Sequence, residues 1–241
     1  MPDALITPCR GKGEPAIAGP VLFFVNPGDA PPIVSEAKRL GAEKRFLFHS
    51  NLFALPGEPP LYWAGPGLGA PAAVLVLEKL IALGATKIII YGWCGSLVQS
   101  LRSGDIFLPT RGLSEEGTSV HYPVARPPEA NPDLHRQLAM ALLAACGNVV
   151  KQGPIWTTDA PYRETRQKIR DYGRRGIMAV DMEFSALCTV AAFRGVSLAA
   201  AMLVSDELFH ESWRPHYQNK DFKRKSMDVF HMLSDLLPAF L

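Results

Sequence analysis

Short apolar runs, each stopped by a tight turn and separated from the next by helix-like segments, constrain this chain most. Val21–Val25 (VLFFV) runs into Asn26-Pro27-Gly28, and Leu61–Ala64 (LYWA) into Gly65-Pro66-Gly67-Leu68-Gly69. Lys87–Gly92 (KIIIYG) leads to a second glycine turn, and Leu198–Val204 (LAAAMLV) breaks off at Ser205-Asp206-Glu207. Continuous apolar runs of this length, bounded by turn residues, are buried on both faces and read as central strands. Between them lie helix signals. Pro71–Leu83 is apolar and closed by Gly84, and Asn131-Pro132 opens a segment ending at Gly147. Pro161 opens a charged segment to about Gly173, Asp181–Arg194 stops at Gly195, and Asp221–Leu237 is amphipathic. Strands alternating with helices predict a single three-layer α/β domain, a mixed central β-sheet flanked by helices. Ligands of such sheets bind beyond the carboxyl ends of strands, which selects the loops after Val25, Ala64, Tyr91 and Val204.

The chain has 241 residues, enough for one large α/β domain. The first twenty residues are rich in Gly and Pro and read as an N-terminal arm, leaving 21–241 as the folded domain. With 25 Lys+Arg against 23 Asp+Glu and no basic block, there is no electrostatic footprint for nucleic acid or an anionic membrane. The longest apolar stretch, Leu138–Cys146, falls far short of the roughly 18 residues of a membrane helix. Cys9, Cys94, Cys146 and Cys188 form no CxxC pair, which argues against a zinc knuckle or a disulfide scaffold. With no signal peptide evident, a reducing cytoplasm is expected.

Two carboxylates stand out. Asp206, directly after an apolar strand, sits where partial desolvation lets an acid hold a proton near neutrality; position alone leaves a turn-capping role equally open. Glu183, in VDMEFSAL, opens a helix, where the dipole favours an acid for structural reasons; Met182 beside it would by default fill core. The glycine cluster Gly65–Gly69 lacks the third glycine of a dinucleotide fingerprint, since Ala70 stands there. Both glycine turns offer close backbone approach and N–H groups to a small anion or a sugar, or are merely tight turns. No GxSxG is present, Cys94 has no basic neighbour in sequence, and the six histidines show no metal-ligand spacing, so neither a nucleophile nor a metal is expected.

These motifs, in this order, resemble the nucleoside phosphorylase family that holds uridine phosphorylase, hexameric purine nucleoside phosphorylase and the methylthioadenosine/adenosylhomocysteine nucleosidases. VDMEFSAL (Val180–Leu187) followed by the strand and Ser205-Asp206 is the most specific element. GPGLGAP (Gly65–Pro71), YGWCGSL (Tyr91–Leu97), GDIFLPT (Gly104–Thr110) and EEGTSVHY (Glu115–Tyr122) agree in order. The resemblance covers about Val21 to Leu237. It implies cleavage of the N-glycosidic bond of a purine or pyrimidine nucleoside, with no cofactor and with phosphate as a potential co-substrate. It implies that Met182 packs on the ribose, Glu183 accepts from its hydroxyls and Asp206 protonates or hydrogen-bonds the departing base. Cys94, Gly95 and Ser205 would lie beside the substrate, and Trp156–Glu164 (WTTDAPYRE) would contact the base, with Pro161 in place of a stacking aromatic and Tyr162 as the nearby ring. It also implies a homo-oligomer; in members of the family a neighbour's residue often completes the site, which the sequence leaves open here. The chemistry suits these residue types: breaking the bond makes an oxocarbenium-like sugar and an anionic base, which need negative or polar groups at one end and an acid at the other.

The departures lie at the acceptor. Phosphorolytic members carry an arginine in the first glycine loop, as GDPxR, where this chain reads Gly28-Asp29-Ala30-Pro31-Pro32. A second arginine is replaced by Ile90 and a hydroxyl residue by Trp93. Arginine is the usual holder of phosphate, so Gly28, Asp29, Gly67 and Trp93 delimit an anion or water site whose acceptor, phosphate or water, stays open. The nucleosidases use water with a first-loop glutamate, for which Asp29 is the closest substitute. The rival from another class is a non-catalytic nucleoside-binding protein, which would not need both Glu183 and Asp206.

Overall fold

The computed structural model describes residues 4–47 and 49–241. Residues 4–20 contain no helix or strand; the Ile17 N–H bonds the Leu83 carbonyl (2.8 Å) and Glu14 pairs with Lys79 (2.6 Å). Strands β1 (Val21–Phe24), β2 (Glu43–Leu47), β3 (Ser50–Leu55), β4 (Leu61–Gly65) and β5 (Lys87–Ser96) come from the first half. The second half gives β6 (Ile106–Glu115), β7 (Lys151–Thr158), β8 (Ala179–Asp181), β9 (Ser197–Glu207) and β10 (Arg214–Pro215). They form one mixed sheet in the order β10-β9-β6-β7-β8-β5-β1-β4-β3-β2, and β5 also pairs with β9. That extra pairing closes β5, β9, β6, β7 and β8 into a ring, from which β1, β4, β3 and β2 extend.

The apolar runs form central strands because both faces are covered. Along β9, Leu198, Ala200, Met202 and Val204 face one core while Ala199, Ala201 and Leu203 face the other. Along β5, Ile88 and Ile90 alternate with Ile89 and Tyr91 in the same way. Helices α2 (Ala70–Ala82) and α5 (Phe184–Arg194) cover the first face; α1 (Ala30–Arg39), α3 (Pro132–Cys146) and α6 (Lys220–Leu236) cover the second. The three-layer α/β reading therefore holds. α3 has the expected ends: the Asn131 side chain accepts from the Leu134 N–H (2.9 Å) and Gly147 closes it in the left-handed conformation.

Two helix starts differ from expectation. Pro161 opens only a short 3-10 turn (Pro161–Arg163), and α4 (Arg166–Arg174) starts later, capped by Thr165. Asp181 closes strand β8 instead of opening a helix; its carboxylate then caps α5 by accepting from the N–H groups of Glu183 (3.0 Å) and Phe184 (2.6 Å).

Candidate active site

One residue pairing sets the segments that carry the two carboxylates on either side of β5. Gly95, near the end of β5, pairs with Val180 of β8 on one side and with Asp206 of β9 on the other. The chain after Val180 delivers Asp181, Met182 and Glu183; the far side delivers Asp206. The β5–β9 register shifts between Cys94 and Gly95, so Ser205 is an extra residue and Asp206 is re-aimed out of the alternation of its strand. Gly95 must be small. A Cβ there would lie 2.4 Å from Leu208 Cδ1, 3.1 Å from Asp206 Oδ2 and 3.3 Å from Val180 Cγ1.

Asp206 has a donor on each oxygen. The Ser205 hydroxyl donates to Oδ1 (2.6 Å) and the Trp213 indole N–H to Oδ2 (2.7 Å). Glu183 is only 3% exposed; its Oε1 accepts from the Gly69 N–H (2.6 Å) at the start of α2. Burial, then the charges of Asp181 and Asp159, push its carboxyl up to about 8, so it holds its proton at neutral pH. Asp181 is the ionised member of the pair. Burial raises it too, to about 6, but the Thr157 hydroxyl (2.7 Å) and the two α5 N–H groups favour its charged form. Met182, half-buried, lies between them in sequence.

Three further carboxyls escaped sequence reading. Glu116 is buried and gathers the hydroxyls of Ser114 (2.7 Å), Ser119 and Ser185 (3.0 Å). Burial pushes it up, but these bonds and two backbone N–H groups outweigh burial and hold it below the ordinary value. Asp159 accepts from the Gly117 N–H (2.8 Å). Glu164 is half-buried, and burial followed by the Asp206 charge pushes it up to about 8. Each lies inside a segment of the family resemblance, Glu116 in Glu115–Tyr122 and Asp159 and Glu164 in Trp156–Glu164, but nothing in the sequence singled the carboxyl out.

Other expected residues are placed differently. Tyr162 is fully exposed, so within one chain it has no wall against which to stack a ring. Cys94 is buried; burial, then the Asp181 and Asp206 charges, push its thiol well up, while its carbonyl accepts from Ser205 (3.2 Å). Among the described residues, no group of three or more His, Cys, Asp or Glu side chains is arranged to hold a metal.

At the acceptor side the backbone N–H groups expected to be free are occupied. The Gly28 N–H donates to Asn26 Oδ1 (2.7 Å) and the Gly67 N–H to the Val25 carbonyl (3.0 Å). The Trp93 ring lies against Gly28, 3.2 Å from where a Cβ would stand, and Ile90 is fully buried in the core. Asp29 is 4% exposed; Oδ1 accepts from the Ser226 hydroxyl (2.7 Å), and buried Oδ2 has no partner. Desolvation raises this carboxyl to about 6, against the Ser226 hydroxyl and the nearby Trp93 indole N–H, which favour its charged form. Arg102 pairs with Glu207 (3.2 Å), Arg45 with Glu43 on the outermost strand, and Arg111 is exposed on β6.

A family model described as the phosphorylase superfamily matches residues 24–237. A guanosine phosphorylase of Halorubrum lacusprofundi is 28% identical over 164 residues, 67% of each chain. A DeoD-type purine nucleoside phosphorylase of Bacillus thuringiensis is 30% identical over 148 residues, 60% of this chain and 63% of that enzyme, so the match spans less than two thirds of the relative. Among solved structures, a purine nucleoside phosphorylase from Toxoplasma gondii in complex with immucillin-H superposes with a TM-score of 0.75 at 21% identity, covering 92% of this chain and 90% of that one. A uridine phosphorylase from Vibrio fischeri gives 0.71 at 22% identity, covering 90% and 88%. At these identities the structural likeness is one of fold.

Proposed function

The chain belongs to the phosphorylase superfamily, and from that premise we propose that it cleaves the N-glycosidic bond of a nucleoside with water as the acceptor. The register that puts Asp206 on one side of Gly95 and Val180, three residues before Glu183, on the other supports the first half of this reading. As the bond breaks, negative charge grows on the base and positive charge on the sugar. Asp206 meets the base as proton donor or hydrogen-bond partner. Glu183, protonated at neutral pH in the free protein, donates to one sugar hydroxyl and accepts from another. The positive charge developing at the sugar is met by the carboxyl oxygen that Glu183 offers as acceptor and by the Asp181 carboxylate beside it.

The unpartnered Oδ2 of Asp29 carries the second half. A phosphate dianion beside Trp93 would lose hydration and face a buried carboxylate, with the Gly28 and Gly67 N–H groups already taken. Desolvating an unpaired charge costs several kcal/mol, and the like charge adds to it. A water molecule meets no such penalty. Asp29, raised to about 6 and therefore ionised at neutral pH, is a base able to accept its proton.

The test is incubation with a panel of purine and pyrimidine nucleosides, with the released base separated chromatographically. Turnover of at least one member is expected. Binding of a nucleoside without base release from any would favour the non-catalytic binding protein instead.

A further inference from the structure

Asp206 is held by a residue that no motif announced. Trp213 lies in the segment after β9, is 57% exposed, and places its single polar atom 2.7 Å from Asp206 Oδ2. Three contacts keep it there. The short strand β10 pairs Arg214 with Glu207 and Pro215 with Asp206, and the His216 N–H bonds the Ser205 carbonyl (2.9 Å). The Trp213 ring also lies against Tyr217, centroids 6.1 Å apart at 41°. Tyr217 in turn stacks on Trp93, at 6.2 Å and 28°, so an aromatic row runs from the acid to the acceptor loop.

The two donors on Asp206 are chemically unequal. An indole N–H can only donate, and the carbonyl oxygen of a carboxyl accepts better than its hydroxyl oxygen, so this bond favours Oδ2 as the unprotonated oxygen. A hydroxyl both donates and accepts. Ser205 Oγ lies within reach of Oδ1 (2.6 Å) and of the Cys94 carbonyl (3.2 Å), but has one proton for the two. When Asp206 takes a proton, Oδ1 can donate to Ser205 Oγ, which donates onward to Cys94; Oδ2 has no such arrangement.

We propose that Trp213 is a positioning residue for Asp206: its indole N–H reserves Oδ2 as an acceptor and leaves Oδ1, shared with Ser205, as the oxygen that carries the proton to the departing base. The proposal rests on the reading of Asp206 as the group that meets the base. It predicts a loss in the bond-breaking step and little change in nucleoside binding. Because the ring is more than half exposed, replacing it leaves the core untouched.

The test combines turnover with a direct view of the hydrogen bond. Trp213→Phe keeps a ring and removes the N–H; kcat should fall roughly tenfold, the equivalent of one charge-assisted hydrogen bond, with KM within about twofold. Trp213→His, which retains a ring N–H, should recover most of that loss. In nitrogen-labelled protein, the indole resonance missing from the Trp213→Phe spectrum should move upfield in Asp206→Ala. Wild-type kcat in Trp213→Phe while Asp206→Asn is inactive overturns the proposal alone, as does an indole resonance unmoved in Asp206→Ala. Full turnover in Asp206→Asn overturns the reading of the acid, and this proposal with it.

Discussion

Asp206 and Glu183 were legible as single residues because each ends an apolar run or opens a helix, where the fold class puts ligands. Their surroundings were not. Asp181, two residues before Glu183, looked like part of a helix, yet it caps that helix and raises its neighbour. Asp159 and Trp213 take their importance from Gly117 and Asp206, on other segments, and Glu116 from local hydroxyls joined by the distant Ser185, none of which spacing reveals. Asp206→Asn should lower base release by about 10²–10⁴ with the fold intact, since an amide keeps the shape but delivers no proton; unchanged turnover would remove Asp206 from the chemistry. Glu183 makes a separate prediction about stability. Its carboxyl sits at about 8 in the folded protein against an ordinary 4.5, so the folded form retains a proton that the unfolded chain has released between those values. The corresponding stability is fully present below about 4.5 and is lost as pH rises through 8. Glu183→Gln can still accept from Gly69 but has no charge to bury. Between pH 5 and pH 9 the wild type should therefore lose stability relative to this variant in denaturant titrations, by at least about 1 kcal/mol, the order of one pH unit's worth. Parallel curves for the two proteins would mean that Glu183 is already ionised in the native state.

At the scale of elements, helices with sequence-coded ends and strands buried on both faces were the readable ones. α3 carries its N-cap and its glycine stop in the text, and β1, β5 and β9 are continuous apolar runs. β2 (EKRFL) has four exposed residues because it is the outermost strand, and β7 (KQGPIWTT) contains Gly-Pro; neither has an apolar run to announce it. The bulge at Ser205 was likewise silent, being a property of pairing with β5 and not of β9 alone. Two substitutions separate element stability from site geometry. Asn131→Ala removes the α3 cap and should lower stability by roughly 1 kcal/mol while leaving turnover unchanged. Gly95→Ala should do the reverse. Its Cβ meets the end of the Leu208 side chain, which can rotate away, and the Asp206 carboxylate, which must give by a few tenths of an ångström and so shift against its Ser205 and Trp213 donors. Turnover falling at least tenfold with a near-native melting temperature is the expected result; a variant active at the wild-type rate would show that the Gly95–Asp206 approach is not needed.

For the whole molecule, the alternation of strands and helices predicted the three layers but not the closure of β5 onto β9, a pairing across more than a hundred residues that nothing local encodes. That closure matters for function, because it sets the ends of β8 and β9 on either side of Gly95. The same architecture superposes on nucleoside phosphorylases over about nine tenths of the chain, and at its first glycine loop this chain sets Trp93 against Gly28 and buries Asp29, which accepts from Ser226. The most direct measurement is the identity of the sugar product from the best nucleoside substrate, with turnover followed from zero to millimolar inorganic phosphate. Free sugar at a rate that phosphate leaves nearly unchanged is expected. Saturable acceleration by phosphate with a sugar 1-phosphate as product would contradict it, and would require a cation from outside this chain's cleft to do the work of the missing arginines.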